Sequence, residues 1–257
     1  MNNNDLVNLL RSGKQTPIKV SFNNQDTFEK LAGRISQQIE ADSVDLLNCF
    51  KNISFIKENE FSENTAIGMY IPNTYEFYWN TSAKSFRKKM LSEYHSFWNN
   101  ARLEKAKKLN LSKNEVITLA SIVQKETVKV DERPRVAGVY VNRLKRGMPL
   151  QADPTVIFAI KEKANDFDKV IKRVLYKDLE IDSPYNTYKY AGLPPGLIAM
   201  PDISSIDAVL NYEKHNYIYF VVNVEKFGYH KFAKTLTQHN RNKQEYVRWI
   251  NKKGINR

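Results

Sequence analysis

Apolar residues recur at helical spacing between residues 112 and 127, and they predict an amphipathic helix. Ser112 followed by Glu115 is a capping-box pair, which marks the start of this helix. The apolar stripe occupies the i, i+3, i+4 and i+7 positions, which are Val116, Leu119, Ala120 and Val123. At about 100° per residue, Glu126 lies only about 20° from that stripe. The pattern therefore predicts a carboxyl group on an apolar helix face.

Two interpretations of Glu126 follow from this position. A carboxyl group in apolar surroundings keeps its proton to higher pH because desolvation penalises the charged form, and such a group can act as a general acid. The alternative is structural: the helix reaches the edge of the domain by residue 126, and the glutamate meets solvent as most glutamates do. The helical pattern leaves both interpretations open.

The first hundred residues alternate between strand, helix and turn patterns. Alternation of apolar and polar residues predicts a strand at 18–22, and a capped helix is expected from residue 28. A second, short helix is expected at 43–50. The aromatic segment 68–79 contains a proline and predicts extended chain and turn, whereas a basic amphipathic pattern predicts one long helix at 82–109.

The second half of the chain predicts further helices around one long loop. A helix is expected at 133–146, and another is expected to begin near Pro154 with Asp153 as its N-cap. Segment 182–201 contains four prolines and two glycines, which predicts a long loop. Loops of this length in compact domains are usually functional. The chain closes with a predicted hairpin and a predicted helix, at 217–232 and 236–251.

Composition describes a globular chain with a basic surface. Of its 257 residues, 42% are hydrophobic and 26% are charged, so disorder is not expected. The net charge of +12 favours an acidic partner, such as nucleic acid, an anionic membrane surface or an anionic wall polymer. The single Cys49 excludes an internal disulfide, and the four histidines lie at no spacing typical of zinc. No apolar run approaches the roughly 20 residues that cross a bilayer, so any targeting or anchoring segment is expected outside this sequence.

Three polar clusters follow the predicted helix at 112–127, namely 142–143, 151–155 and 185–188. Each has a structural explanation, since Asp153 can cap a helix and Asn186 can stabilise a turn. Together, amides, phenols and small residues beside one protonatable glutamate suit a carbohydrate, whose hydroxyl groups need neutral donors and acceptors. Glycoside cleavage usually employs two carboxyl groups, but one suffices when the sugar supplies its own nucleophile. Motifs of nucleotide-binding proteins, serine hydrolases and zinc proteases are missing.

Several blocks of the chain, taken in order and spacing, resemble one known family. The blocks are L-A-S-I-V-Q-K-E at 119–126, V-N-R-L at 141–144, L-Q-A-D-P-T at 150–155, S-P-Y-N-T-Y at 183–188, G-L-P-P-G-L-I at 192–198, Y-F-V at 219–221 and H-N at 239–240. They resemble the endolytic murein transglycosylases, a family also called YceG-like. The similarity runs from about residue 18 to the C-terminus.

The resemblance implies cleavage within peptidoglycan glycan strands, at the bond between MurNAc and GlcNAc, which leaves 1,6-anhydro-MurNAc ends. It assigns Glu126 the catalytic role, first as general acid and then as base. Gln124 stands where many relatives have a second glutamate, so Glu126 is the only acid of its block. The substrate-binding candidates carried over from the family are Gln151, Asp153, Tyr185, Asn186 and Thr187. The implied chemistry needs no metal and no organic cofactor.

The resemblance also implies an α+β architecture with two parts. A small LysM-like module with its connecting segment, residues 1–80, is expected to pack against a catalytic domain, residues 81–257. That domain is expected to be mainly helical with a short antiparallel sheet. The implied location is the inner membrane, with the catalytic domain facing the periplasm and an anchor that is not in this sequence. Peptidoglycan glycan strands are the implied partner, with the cell-wall synthesis machinery as a further one.

Three other functions remain as alternatives. A hydrolytic muramidase would use Asp153 as a second carboxylate and would release reducing ends. A non-catalytic peptidoglycan-binding scaffold would hold glycan through the LysM-like module and the basic surface. A nucleic-acid binder is motivated only by the net charge, and since no DNA- or RNA-binding motif accompanies that charge, nucleic acid is not expected as a partner.

Overall fold

The computed structural model describes residues 2–13 and 15–252, in which helices alternate with two small antiparallel sheets. The helices are α1 (Asn3–Ser12), α2 (Phe28–Ser36), α3 (Ser43–Phe50), α4 (Ile53–Glu58), α5 (Ala83–Phe97), α6 (Asn100–Leu109), α7 (Lys113–Glu126), α8 (Arg133–Lys145), α9 (Asp153–Ala164), α10 (Ile203–Leu210) and α11 (Leu236–Lys252). The strands are β1 (Ile18–Phe22), β2 (Asn73–Phe77), β3 (Tyr219–Val222) and β4 (His230–Ala233). These elements confirm the predicted α+β class.

Strands β1 and β2 pair antiparallel, and helices α2, α3 and α4 lie between them in the chain. Val20 and Phe22 of β1 face inward and are buried, as the alternating pattern predicts. Thr27 caps α2 by accepting a hydrogen bond from the N–H of Lys30, and Asp42 caps α3 in the same way. The first part of the core therefore lies between one small sheet and short capped helices.

An aromatic cluster joins this first unit to α5. The ring of Phe86 in α5 lies 4.8 Å from that of Phe77 in β2, and the ring of Phe50 lies 4.7 Å from that of Tyr70. All four side chains are buried, and they belong to one continuous core with the later helices. Packing therefore crosses residue 80, where the sequence suggests a domain boundary, and that boundary stays a prediction.

The single helix predicted at 82–109 is wrong, because the chain forms α5 and α6 there. The break lies at Trp98, which is buried, and at Asn99. The Asn99 side chain accepts a hydrogen bond of 3.1 Å from the N–H of Arg102 and so caps α6. A capping residue after a buried aromatic residue thus gives the second helix its own start.

Helix α7 runs through the centre of the larger, mainly helical part of the structure. Ser112 and Glu115 exchange both hydrogen bonds of a capping box, which confirms the predicted start of this helix. Every residue from 116 to 123 is buried, because α8, α9 and α10 pack around the helix on several sides. This stretch of the helix is therefore buried on every side, whereas the sequence pattern predicts a single buried stripe.

Strands β3 and β4 form the predicted hairpin, with residues paired from Tyr219 and Ala233 to Val222 and His230. Helix α11 packs against both strands. Within the two described ranges, no helix combines the length and the apolar character that crossing a bilayer requires.

Candidate active site

Glu126 is the last residue of α7, at the point where the helix leaves the core. Its side chain is half-buried, and its Oε1 accepts a hydrogen bond of 2.5 Å from the hydroxyl group of Tyr140 in α8. Thr127 follows with an extended backbone and ends the helix. The carboxyl group therefore lies at the boundary between core and solvent, in contact with a buried phenol.

The surroundings of Glu126 favour its protonated form. Burial raises the pKa of this carboxyl group from its ordinary 4.5 to about 7. The hydrogen bond from Tyr140 and the charges of His230 and Arg143 lower that pKa, whereas the charge of Asp153 raises it. A carboxyl group with this pKa still carries a proton near neutral pH, as a general acid must. The interpretation of Glu126 as an ordinary solvent-facing glutamate is therefore not favoured.

Tyr140 is fixed as a hydrogen-bond donor by its position. Burial and the neighbouring Glu126 raise the pKa of its phenol well above the ordinary value, so it keeps its proton. Its ring packs edge-on against Phe220 of β3, with 5.9 Å between the ring centroids. Contacts from two elements therefore hold the hydroxyl group against the Glu126 carboxyl group.

Arg143, one turn after Tyr140 in α8, holds the segment that precedes α9. Its guanidinium group donates hydrogen bonds to the carbonyl of Leu150 at 2.8 Å and to Oε1 of Gln151 at 3.3 Å. Gln151 is exposed and has a left-handed backbone with a φ of 50°, which a residue with a side chain adopts only where its surroundings hold it. Since Oε1 of Gln151 faces the guanidinium group, its amide nitrogen is directed elsewhere.

Asp153 is not the N-cap of α9, and that structural prediction is wrong. It is the first residue of the helix, Ala152 occupies the cap position, and no side chain caps this end. The Asp153 carboxylate instead accepts a hydrogen bond of 2.5 Å from the hydroxyl group of Tyr188, and it remains exposed. Asp153 therefore lies in the first turn of α9, and its charge acts on the Glu126 carboxyl group.

Three predicted substrate-binding residues are buried in the loop that follows residue 182. Tyr185 packs its ring against Phe158 of α9, with 4.5 Å between centroids. The amide nitrogen of Asn186 donates to two upstream backbone carbonyls at 2.8 and 2.9 Å, and its oxygen accepts from the N–H of Tyr188. The hydroxyl oxygen of Thr187 accepts from the N–H of Ala152 at 3.0 Å. These contacts hold the loop against α9 and so position Tyr188.

The L-P-P-G block of the same loop packs against the first unit of the chain. A Cβ atom at Gly196 would lie 2.2 Å from the carbonyl oxygen of Asn64, so only glycine fits there. The next residue, Leu197, donates its N–H to the same carbonyl at 3.2 Å. The block therefore anchors the loop against the first unit of the chain.

Sequence reasoning missed several residues of this site. Tyr140 lies among apolar residues of its predicted helix, and Tyr188 lies within a block of the family resemblance that gives it no role of its own. Glu132 and His230 were not considered together, because 98 positions separate them in the chain. Gln124 faces α10, where its amide oxygen accepts from the N–H of Asp202 at 2.6 Å.

Comparison with known proteins places this chain in a family. The sequence profile of the YceG-like family matches residues 1–245, so the chain belongs to that family. A crystal structure of a yceG-like protein from Listeria monocytogenes superposes with a TM-score of 0.71 at 31% sequence identity. The superposition covers 94% of this chain and 81% of the other.

Two curated relatives have the name endolytic murein transglycosylase. The protein of Bacillus subtilis strain 168 is 41% identical over 187 residues, which are 72% of this chain and 49% of the relative. The protein of Streptococcus pneumoniae serotype 2 strain D39 is 34% identical over 187 residues, which are 70% of this chain and 32% of the relative. This chain therefore spans about half the length of the first relative and about a third of the second.

Proposed function

We propose that this chain is an endolytic peptidoglycan lytic transglycosylase in which Glu126 is the general acid and then the base. The observation that carries the proposal is a half-buried glutamate with a pKa of about 7 at the end of α7. The names of the two relatives supply the substrate class, which is murein. Phenol, amide and guanidinium groups near this glutamate suit a glycan.

The proposed reaction begins with protonated Glu126. It gives its proton to the glycosidic oxygen as the bond from that oxygen to C1 of MurNAc breaks, and GlcNAc leaves with a 4-hydroxyl group. Glu126, now a carboxylate, removes the proton of the 6-hydroxyl group of MurNAc, whose oxygen forms a new bond to C1. The anhydro ring closes, Glu126 is protonated again, and no water is consumed.

The contact with Tyr140 supports both halves of this cycle. Because the phenol donates to Oε1, the proton of the acid form lies on Oε2, the oxygen that remains for the substrate. After proton transfer, the same hydrogen bond stabilises the carboxylate, since hydrogen bonds to charged acceptors are stronger. One buried donor thus orients the acid and supports the base.

We propose that the glycan contacts Gln151, Asp153 and Tyr188. Gln151 and Asp153 are exposed, and the hydroxyl group of Tyr188 bonds to the Asp153 carboxylate. Tyr185, Asn186 and Thr187 act on the substrate only indirectly in this proposal. Their buried contacts hold the loop that carries Tyr188.

A hydrolytic muramidase is the second candidate, and the position of Asp153 favours it. The charge of Asp153 acts on the Glu126 carboxyl group, so two carboxyl groups are available near the reaction centre. Glu126 would again protonate the leaving oxygen, and Asp153 would assist the attack of water on C1. The product would then be a reducing end in place of an anhydro end.

Mass spectrometry of muropeptides from digested peptidoglycan separates these reactions, because an anhydro end is lighter by one water than a reducing end. Glu126→Gln is expected to lower product formation by at least about 100-fold, the usual contribution of a general acid. The control is Glu104→Gln, at an exposed position of α6, which should keep full activity. Asp153→Asn should still give anhydro ends from a transglycosylase but lose the product of a muramidase. Binding to insoluble peptidoglycan without any change in glycan length would favour the scaffold.

We further propose that the β1–β2 unit is a LysM-like module that binds glycan. Its support is the arrangement of two antiparallel strands that enclose short helices in the chain. The proposed location is the cell membrane, with the catalytic part on the side of the cell wall. The family resemblance implies the same arrangement, an inner membrane location with the catalytic domain facing the periplasm. Fractionation of cells that express the full-length protein tests this location, and recovery in the cytosol would contradict it.

A further inference from the structure

Arg143, from the V-N-R-L block, has no part in the cycle proposed above. It is 7% exposed, and its Nε donates to the carbonyl of Ile218, the residue before β3, at 2.7 Å. Its Nη1 donates to the carbonyls of Pro149 at 3.2 Å and of Leu150 at 2.8 Å, in the segment before α9. The guanidinium group also lies over the ring of Tyr219, 5.3 Å from its centroid. Contacts from two sides therefore fix the position of this group.

The same guanidinium group determines which end of the Gln151 amide faces it. Its Nη1 donates to Oε1 of Gln151 at 3.3 Å. A guanidinium group only donates hydrogen bonds, whereas a glutamine amide has an accepting oxygen and a donating nitrogen. The opposite orientation would place donors against donors. The chemistry of the pair therefore directs the oxygen at Arg143 and leaves the NH2 group of Gln151 facing away from it.

The backbone of Gln151 is held as well as its side-chain oxygen. Its N–H donates to the carbonyl of Thr187 at 3.0 Å, and its φ is 50°. The residue is exposed, and no group within residues 2–13 and 15–252 accepts a hydrogen bond from its amide nitrogen. Gln151 therefore presents a fixed N–H donor group to solvent, with its accepting oxygen already occupied.

Helix α8 places this donor group beside the proposed reaction centre. Tyr140 and Arg143 are three residues apart, so they lie on the same face of the helix. The first donates to the Glu126 carboxyl group at 2.5 Å, and the second donates to Gln151 one turn later. A glycan that reaches the Glu126 carboxyl group therefore passes close to the free N–H groups of Gln151.

A donor group whose oxygen is occupied selects among the groups of a glycan. An N-acetylated sugar has an amide carbonyl, which is neutral and accepts hydrogen bonds. Removal of the acetyl group leaves an ammonium group, which only donates. Donors that face each other form no bond, and the new cation also meets the positive charge of Arg143. The arrangement therefore favours the N-acetylated sugar by attraction and disfavours the deacetylated one by repulsion.

We propose that Gln151 is a specificity-determining residue that binds the N-acetyl carbonyl of the glycan, and that Arg143 is a positioning residue that keeps the Gln151 amide nitrogen directed at that carbonyl. This inference rests on the proposed function, because it concerns the glycan bound at the same site. It implies that N-deacetylated stretches of peptidoglycan resist cleavage by this protein.

Cleavage of peptidoglycan before and after chemical N-deacetylation tests the proposal. The wild type should have a kcat/KM about tenfold higher on the N-acetylated polymer, which is the effect of one hydrogen bond to a neutral group. Gln151→Glu keeps an oxygen for Arg143 but has no N–H donor, so this preference should disappear or reverse. An equal preference in the wild type and Gln151→Glu would overturn the inference.

The matched control is Gln244→Glu, which adds the same charge at an exposed position of α11. Deacetylation makes the polymer more positive, and the net charge of +12 repels it in every variant. The control should keep the preference of the wild type. A loss as large as that in Gln151→Glu would assign the discrimination to net charge and so refute the role of Gln151. Both polymers are compared at one pH, so a changed pKa of Glu126 cancels in the ratio.

Arg143→Lys tests the positioning role. Lysine keeps the positive charge but has a single nitrogen in place of the planar guanidinium fork, so the Gln151 amide is free to turn. KM for the N-acetylated polymer should rise severalfold with kcat nearly unchanged, and the preference for that polymer should fall. A folded variant, checked by circular dichroism and Tm, that keeps the full preference contradicts the role of Arg143. If this variant does not fold, Gln151→Glu decides the proposal.

Binding separates this inference from the proposed function. Co-sedimentation with each form of peptidoglycan gives an apparent Kd for Glu126→Gln, in which loss of cleavage is expected. The Kd should be about tenfold lower for the N-acetylated form, and adding Gln151→Glu should abolish the difference. If this holds while the wild type cleaves no peptidoglycan, Gln151 is supported and the proposed function fails. Cleavage of both forms at equal rates would refute the role of Gln151 and leave the proposed function in place.

Discussion

The carboxyl group of Glu126 should make the folded protein less stable above neutral pH, and Glu126→Gln should remove this effect. In the unfolded chain the group ionises near 4.5, whereas its pKa in the folded protein is about 7. Between these values the folded protein keeps a proton that the unfolded chain has released, so the free energy of unfolding falls as the pH rises. At 1.36 kcal/mol per pKa unit, the loss amounts to about 3 kcal/mol and is complete above pH 7.

Urea denaturation, followed by tryptophan fluorescence at about pH 5 and about pH 8, measures this difference. Gln at position 126 has a neutral amide whose oxygen can still accept the hydrogen bond from Tyr140. From pH 5 to pH 8, the free energy of unfolding of the wild type should fall by up to about 3 kcal/mol more than that of Glu126→Gln. Glu104→Gln, which changes an exposed glutamate, should show the same fall as the wild type.

Parallel behaviour of wild type and Glu126→Gln across this pH range would refute the reasoning. Glu126 would then ionise at the same pH in the folded and unfolded states, as a fully hydrated glutamate does. The assignment of a general acid to the end of α7 would lose its physical basis, whatever the sequence resemblance.

Tyr140→Phe removes a hydrogen bond that lowers the pKa of Glu126, so the alkaline limb of activity should move up by about one pH unit; an unchanged pH–rate profile would contradict this. Asn186→Ala leaves two backbone carbonyls without their donor, and urea denaturation should show a loss of about 1–3 kcal/mol. Tyr188→Phe releases the Asp153 carboxylate, so steady-state kinetics should show a rise in KM with little change in kcat. A large fall in kcat alone would instead place Tyr188 in the chemical step.

Local patterns were sufficient where one segment carried all the information. The capping pair Ser112 and Glu115 fixed the start of α7, and the helical spacing placed Glu126 near apolar surroundings. The prediction of one long helix at 82–109 was wrong because the apolar pattern continues across Asn99, which caps a new helix. Hydrophobic spacing alone does not distinguish a continuous helix from two helices in sequence.

Residues that contact Glu126 from other elements were beyond a local pattern. Tyr140 lies on the next helix, and its apolar neighbours gave no sign that its hydroxyl group meets a carboxyl group. The blocks around residue 186 indicated an important loop, but composition does not reveal which side chains face inward. Asn186 and Thr187 use their polar groups within the protein, and their assignment to substrate contact, which the family resemblance implies, stays a prediction.

The aromatic cluster that joins Phe77 to Phe86 has a mechanical consequence. The stacked rings hold β2 against α5 across residue 80, and both belong to one continuous core with the later helices, which favours movement of the two regions as one body. If the first region binds glycan as proposed, a bound strand would reach Glu126 at a constant number of sugar units from the binding site. The distance between the two regions would then set the length of the glycan fragments.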